Sequence, residues 1–115
     1  SADGRYLLLG AKDLTRVVLY DTQTKKKLKT FRGKKDQMSA RFGPSGRAAI
    51  LSGFGPYISV VELPSMKTRF EFKSKGLAIS VDLDDEAGLY CAAFRSSGQL
   101  ILGDAKTGKV RRTLQ

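Results

Sequence analysis

The stretch "GDAKTGKV", Gly103–Val110, stands one residue away from a phosphate-binding loop. Such a loop needs G-x-x-x-x-G-K-[ST] between a strand and a long helix. Backbone N–H groups and the helix N-terminus hold the phosphates, and the hydroxyl holds magnesium. Gly103, Gly108 and Lys109 fit, but Val110 replaces the hydroxyl. From Val110 the chain reads "VRRTLQ", which begins as a short alternating strand and offers no helix. On the N-terminal side stands the apolar run "LILG". The stretch therefore reads as a turn between two strands.

The same arrangement occurs twice upstream. "VVLYD" (17–21), "ISVVE" (58–62) and "LILGD" (100–104) are apolar runs ending in an acid, and the acids Asp21, Glu62 and Asp104 are 41 and 42 residues apart. Each is followed by a polar turn, "TQTKKK", "LPSMKT" or "AKTGK", and then by an alternating strand, "LKTF", "RFEF" or "VRRTL". Gly4, Gly46 and Gly88, in "SADGRYLLLG", "GPSGRAAILS" and "DDEAGLYCAA", are 42 apart and each precedes another apolar run. Two independent landmarks hold one spacing over three copies, so the chain is an internal repeat.

The segments are short, rich in Val, Ile, Leu, Tyr and Phe, and separated by Gly, Pro, Ser and Asp. None sustains a helical period, so the chain is all-β. The middle copy gives four strands, "QMSARF", "AAILS", "ISVVE" and "RFEF". The second strand of each copy is nearly all apolar and should be buried on both faces. The fourth alternates and carries charge, as an exposed edge strand does.

Four short antiparallel strands in a repeat of about 42 residues describe a β-propeller blade. The details resemble the WD-repeat family. "SADG" (1–4) is similar to that family's S-P-D-G turn, with "GPSG" (43–46) and "DEAG" (85–88) as looser copies. "VVLYD" stands where the family has V-x-L-W-D, with Tyr20-Asp21 for Trp-Asp. "DAKTGKVRRTL" matches its D-x-x-T-G-K-x-x-x-x-L ending. The resemblance covers the whole chain. It departs from the family in having no Gly-His dipeptide and no Trp, so the family's Asp–His–Ser/Thr–Trp network cannot form and the blades are degenerate. The resemblance implies roughly two and three-quarter blades. They divide into a partial blade over 1–31 that lacks its inner strand, a second over 37–72 and a third over 78–115, together one incomplete propeller. The chain begins without an initiator Met and is expected to be part of something longer. The missing blades are expected from unseen chain, another protein or copies of itself, because an open arc exposes the apolar faces of its terminal blades.

The formal net charge of +10 draws a small domain toward polyanions, or keeps it soluble within a larger and more balanced protein. Histidine is absent, which removes Ser–His and Cys–His catalysis and most zinc and haem sites. The single Cys91 lies in "LYCAAF", reads as a buried inert thiol, and leans toward a reducing, intracellular compartment, cytoplasmic or nuclear. No apolar run approaches the roughly 18 residues that span a bilayer.

Three features carry candidate contacts. "KKKLKTFRGKK" (25–35) holds Lys25, Lys26, Lys27, Lys29, Arg32, Lys34 and Lys35 without an acid. With Lys106, Lys109, Arg111 and Arg112 in the third copy, it would form a basic rim on two outer strands that contacts phosphates. The alternative is an outer strand protected from edge pairing by its lysines. "SGFGPYIS" (52–59) places Phe54 and Tyr57 on a Gly- and Pro-rich connection, either as protein-contact anchors or folded back onto the blade. "VDLDDE" (81–86) lacks the Gly of a calcium loop, because Ala87 stands there, and reads as a solvated turn. No residue is assigned a catalytic, cofactor or metal role, and no cofactor or small-molecule substrate is expected. The resemblance implies a non-catalytic scaffold for protein–protein interactions in a larger complex, and the basic surplus suggests that this complex is a ribonucleoprotein or another polyanion-rich setting. The rival is direct binding of RNA or DNA by the basic rim.

Overall fold

The computed structural model describes residues 1–10, 16–32, 37–53, 56–73, 76, 78–95 and 97–115. The described residues form eleven strands and no helix. β1 (Tyr6–Gly10), β2 (Arg16–Asp21) and β3 (Lys26–Arg32) make a three-stranded sheet in the order β1-β2-β3. β4 (Gln37–Phe42), β5 (Ala48–Gly53), β6 (Tyr57–Glu62) and β7 (Thr68–Lys73) make a four-stranded sheet in chain order. β8 (Ala78–Asp84), β9 (Leu89–Phe94), β10 (Leu100–Asp104) and β11 (Val110–Leu114) make the third, again in chain order. Every pairing is antiparallel. These are blades of a partial β-propeller, the first with three strands.

The sheets stack face to face, so each residue's side of the pleat decides which neighbour it meets. Alternation along β5 and β6 divides the middle sheet between two cores. Ala49, Leu51 and Val61 pack with Val17, Leu19 and Phe31 of the first sheet, and Tyr6 and Leu8 pack against that cluster. Ala48, Ile50, Ile58 and Val60 pack with Val81, Leu83, Tyr90, Ala92 and Ile101 of the third. Each sheet thus has a forward face, toward the next sheet in chain order, and a rear face toward the preceding one. All seven of these β5 and β6 side chains are 0% exposed, and full burial of a Leu or Ile contributes about 1.5–3 kcal/mol. The middle sheet is the most completely buried part of the fold.

The expectation that every second strand is buried on both faces holds for β5 and fails for β1. There Leu7 and Leu9 are 45% and 47% exposed, because they lie on the rear face of the first sheet, against which no described residue packs. β9 is intermediate, with alternate residues half-buried. The fourth strands behave as read, and β11 is exposed along its whole length.

The ladders also correct the alignment of the copies. Gly4, Gly46 and Gly88 all take positive φ, at 73°, 71° and 75°. Opposite the acids, however, stand Tyr6, Ala48 and Leu89. The first two lie two residues after their glycine, and Leu89 lies one after. The third copy is one residue shorter at that point. A one-residue slip turns every side chain to the other face. Tyr90 therefore corresponds to Ala49 and faces the middle sheet.

Candidate interaction surface

The turn after β10 is built by Asp104. Its Oδ1 accepts the N–H groups of Lys106 (2.8 Å) and Thr107 (3.1 Å), and its Oδ2 accepts Arg111 Nη2 at 2.7 Å. Gly108 N–H returns to the Asp104 carbonyl at 2.8 Å. The amides that a phosphate loop would present to a nucleotide are bonded to the protein's own carboxylate. Gly108 sits at φ +79°, where side chains are disfavoured. Lys25 (φ 58°) and Met66 (φ 61°) fill that slot in the other copies. Asp21 repeats the motif: Oδ1 accepts Gln23 N–H and Thr24 N–H, and Oδ2 accepts Arg5 Nε and Nη2. Glu62 differs, pairing with Arg69 at 3.6 Å. Arg111 and the turn amides hold the Asp104 carboxyl down at about 2, and Arg5 with the turn amides lowers Asp21.

The basic side chains fall into two separated groups. β3 is the edge of the first sheet and β11 the edge of the third, with the middle sheet between. Its own edge strand β7 carries Arg69, Glu71 and Lys73. Lys25, Lys26, Lys27, Lys29 and Arg32 are exposed, as are Lys106, Lys109, Arg111 and Arg112. A bulge in the β2–β3 pairing splits the first group. Lys27 and Arg32 lie opposite Tyr20 and Arg16 on the rear face, while Lys26 and Lys29 lie opposite Asp21 and Leu19 on the forward face. Arg111 is engaged by Asp104. Lys34 and Lys35 lie outside the described residues, as does Phe54.

Tyr57 belongs to a strand rather than a connection. It opens β6 opposite Lys73, whose Nζ stands 5.7 Å from the ring centroid. The acidic stretch is also mostly strand: Val81–Asp84 ends β8, and only residues 85–88 form the turn. Asp82 lies 3.8 Å from Arg41, and Asp85 accepts Ser45 N–H and the Ser45 hydroxyl across the sheet junction. Among the described residues no group of three His, Cys, Asp or Glu side chains could hold a metal ion, and no helix is long and apolar enough to cross a membrane.

Among the described residues, four of the six exposed large apolar side chains lie at the two ends of the stack. The rear face of the first sheet presents Leu7 and Leu9 with half-buried Val18 and Tyr20. The forward face of the third presents Leu100 and Leu114, 40% and 46% exposed, with half-buried Leu89, Cys91, Ala93 and Leu102. Sequence reasoning anticipated open terminal faces but not their residues, which depend on register. It also missed a knot at the second junction. The Tyr90 ring lies across Gly103, its hydroxyl donates to the Gly108 carbonyl at 2.7 Å, and Phe70 of the middle sheet meets it at 5.3 Å between centroids. Arg69 Nη1 donates to the Ala105 carbonyl at 3.2 Å across the same junction. An isolated glycine in an apolar strand, as at Gly103, was the available signal.

No protein-family model and no curated protein matches the chain. Solved structures do. The Cps50 (Swd1) β-propeller domain of Myceliophteria thermophila matches with TM-score 0.84 and 16% identity over 99% of this chain and 38% of that one. Dihydro-heme d1 dehydrogenase NirN gives 0.83 and 16% over 96% and 24%. Kuenenia stuttgartiensis hydrazine synthase gives 0.81 and 17% over 98% and 34%. The chain spans between about a quarter and two fifths of those chains. At this identity the likeness establishes the propeller fold, which hosts unrelated functions.

Proposed function

We propose that this chain is a WD-repeat-like propeller segment acting as a non-catalytic scaffold for protein–protein interactions in a larger intracellular complex. The observation that carries the reading is apolar surface that no described residue covers, Leu7 and Leu9 on the first sheet and Leu100 and Leu114 on the third. Contiguous apolar surface of this kind marks interaction sites. The likeness to the β-propeller domain of Cps50 (Swd1) supports the propeller fold on which the reading rests. The test is quantitative affinity capture from cell extract with and without nuclease. Protein partners that persist after nuclease and are lost on Leu7→Glu/Leu9→Glu support the scaffold. Partners that all vanish with nuclease contradict it.

The second reading, direct polyanion binding, rests on one observation. Residues 25–32 contain five cations and no acid, and all five are exposed on or beside an edge strand. Lys26→Glu/Lys27→Glu/Lys29→Glu should then weaken binding to single-stranded RNA and flatten its dependence on salt. Unchanged affinity and slope would remove this strand as the contact.

A further inference from the structure

Each turn acid is held by an arginine, and the middle copy has an arginine to spare. Arg111 holds Asp104 and Arg69 holds Glu62. Both arginines occupy the same place, the extra residue of the bulge between the last two strands of the sheet. In the first sheet Leu28 stands there, and Arg5 serves Asp21 from the turn before β1. Arg47 follows Gly46 as Arg5 follows Gly4. The next residues, Ala48 and Tyr6, lie alike opposite their acids. With Glu62 already taken by Arg69, the exposed Arg47 has no acid of its own among the described residues.

Arg47 lines a groove of about 510 Å³ at the second junction, with Arg69 and Glu62 of the middle sheet and Asp85 and Lys106 of the third. Both walls are described sheets, so this chain alone shapes the groove. Its two acids are engaged within the protein. Glu62 pairs with Arg69 at 3.6 Å, and Asp85 accepts the Ser45 N–H and hydroxyl. Arg69 is held further by the Ala105 carbonyl. Arg47 from one sheet and Lys106 from the other are left facing the same space. The corresponding groove at the first junction differs. There Arg5 is bound to Asp21, Pro64 stands where Lys106 does, and Lys29 is the remaining cation. We infer that the groove at the second junction is a phosphate site, in which a phosphate monoester sits between the Arg47 guanidinium and the Lys106 ammonium. A guanidinium presents a fork of N–H donors and an ammonium a compact charge. A phosphate monoester brings nearly two charges and three acceptor oxygens, enough for one cation from each sheet. A carboxylate brings one charge and two oxygens. The inference rests on the fold and the groove, and its failure would leave the scaffold reading untouched.

The test follows nitrogen and amide chemical shifts of the whole chain as a ligand is added at constant ionic strength, which holds screening fixed. The probes are inorganic phosphate, a glycine peptide carrying one phosphoserine, and acetate, at about pH 8 where the phosphates are dianions. The expected result is one saturable site, with the largest shifts at Arg47, Lys106 and the Ser45–Gly46 turn and none of that size at Arg5. Arg47→Gln and Lys106→Gln change exposed side chains and should each raise the dissociation constant about fivefold. Glu62→Gln removes a like charge and releases Arg69, and should lower it about threefold. Arg95→Gln removes one exposed cation at the far end of β9 and should leave it unchanged. Phosphopeptide binding about tenfold tighter than inorganic phosphate assigns the ligand to a phosphorylated protein. Equal binding assigns it to a free phosphate compound, and either supports the site. Shifts that do not saturate, or that centre elsewhere, overturn the inference. Equal weakening by Arg95→Gln overturns it, because net charge alone would then explain binding. So does weaker binding in Glu62→Gln, or acetate that binds as tightly as phosphate.

Discussion

Gly103 and Tyr90 should behave as one packing unit, and exchanging their volumes should be tolerated where changing either alone is not. They stand opposite each other on β10 and β9, as Val61 and Ala49 do on β6 and β5. The middle sheet places the larger residue on its third strand and the smaller on its second; the third sheet reverses them. A Cβ at Gly103 would run into Cε1, Cζ and Oη of the Tyr90 ring. Gly103 is not in the left-handed region, so it is the Tyr90 ring, the nearest neighbour, that keeps a side chain out. Gly103→Val therefore overpacks the junction, at about 1–3 kcal/mol. Tyr90→Ala leaves a cavity where a side chain 1% exposed had been, at about 3–5 kcal/mol by the usual range for aromatic truncation. Of that, about 1 kcal/mol is the hydroxyl's bond to Gly108. The double variant recreates the valine–alanine pair of the middle sheet. It should be less destabilised than the sum of the singles by about 1–3 kcal/mol. Urea unfolding followed by circular dichroism reads this from the midpoints, provided the slope is unchanged. Strict additivity would refute the claim that the ring occupies the space above Gly103.

The turns carry further expected outcomes. Gly108→Ala should destabilise by about 1–3 kcal/mol, combining the φ of +79° with a Cβ 2.5 Å from Phe70 Cδ2. Lys25→Gly, in the equivalent slot without that crowding, should be neutral or stabilising by up to about 1 kcal/mol; thermal melts separate the two. Acid should act through the turn aspartates. The unfolded Asp104 takes up a proton near 3.8, whereas the folded one holds its charge to about 2. Below about pH 4 the unfolded state thus binds more protons and stability falls. Asp21, also lowered, adds to the same fall. Melting midpoints from pH 6 down to pH 2 should drop less steeply in Asp104→Asn than in the wild type, and equal slopes would count against Asp104 as a contributor.

The repeat was legible because a blade's landmarks are local. An acid that binds its own turn amides and a glycine that takes positive φ leave fixed spacings in the chain. The third copy misled at Gly88 because one residue is missing between that glycine and the strand, and periodicity does not say on which side of a landmark a deletion falls. Burial of β1 was overread for a related reason. "YLLLG" is as apolar as "AAILS", but whether a face is covered depends on the neighbouring sheet and not on the strand. Asp82 and Asp84 read as turn residues because they are charged. They sit on a strand because their alternate neighbours Val81 and Leu83 carry the burial. The two basic groups are similar in composition, yet only the stacking order reveals that a whole sheet separates them.

Amide hydrogen exchange tests the stacked-sheet account most directly. The account predicts the slowest exchange at residues 48–51 and 58–61 of the sandwiched middle sheet. It predicts faster exchange in β1, where Leu7 and Leu9 are exposed. Protection in β1 equal to that of β5, or a middle sheet that exchanges as fast as β1, would contradict it.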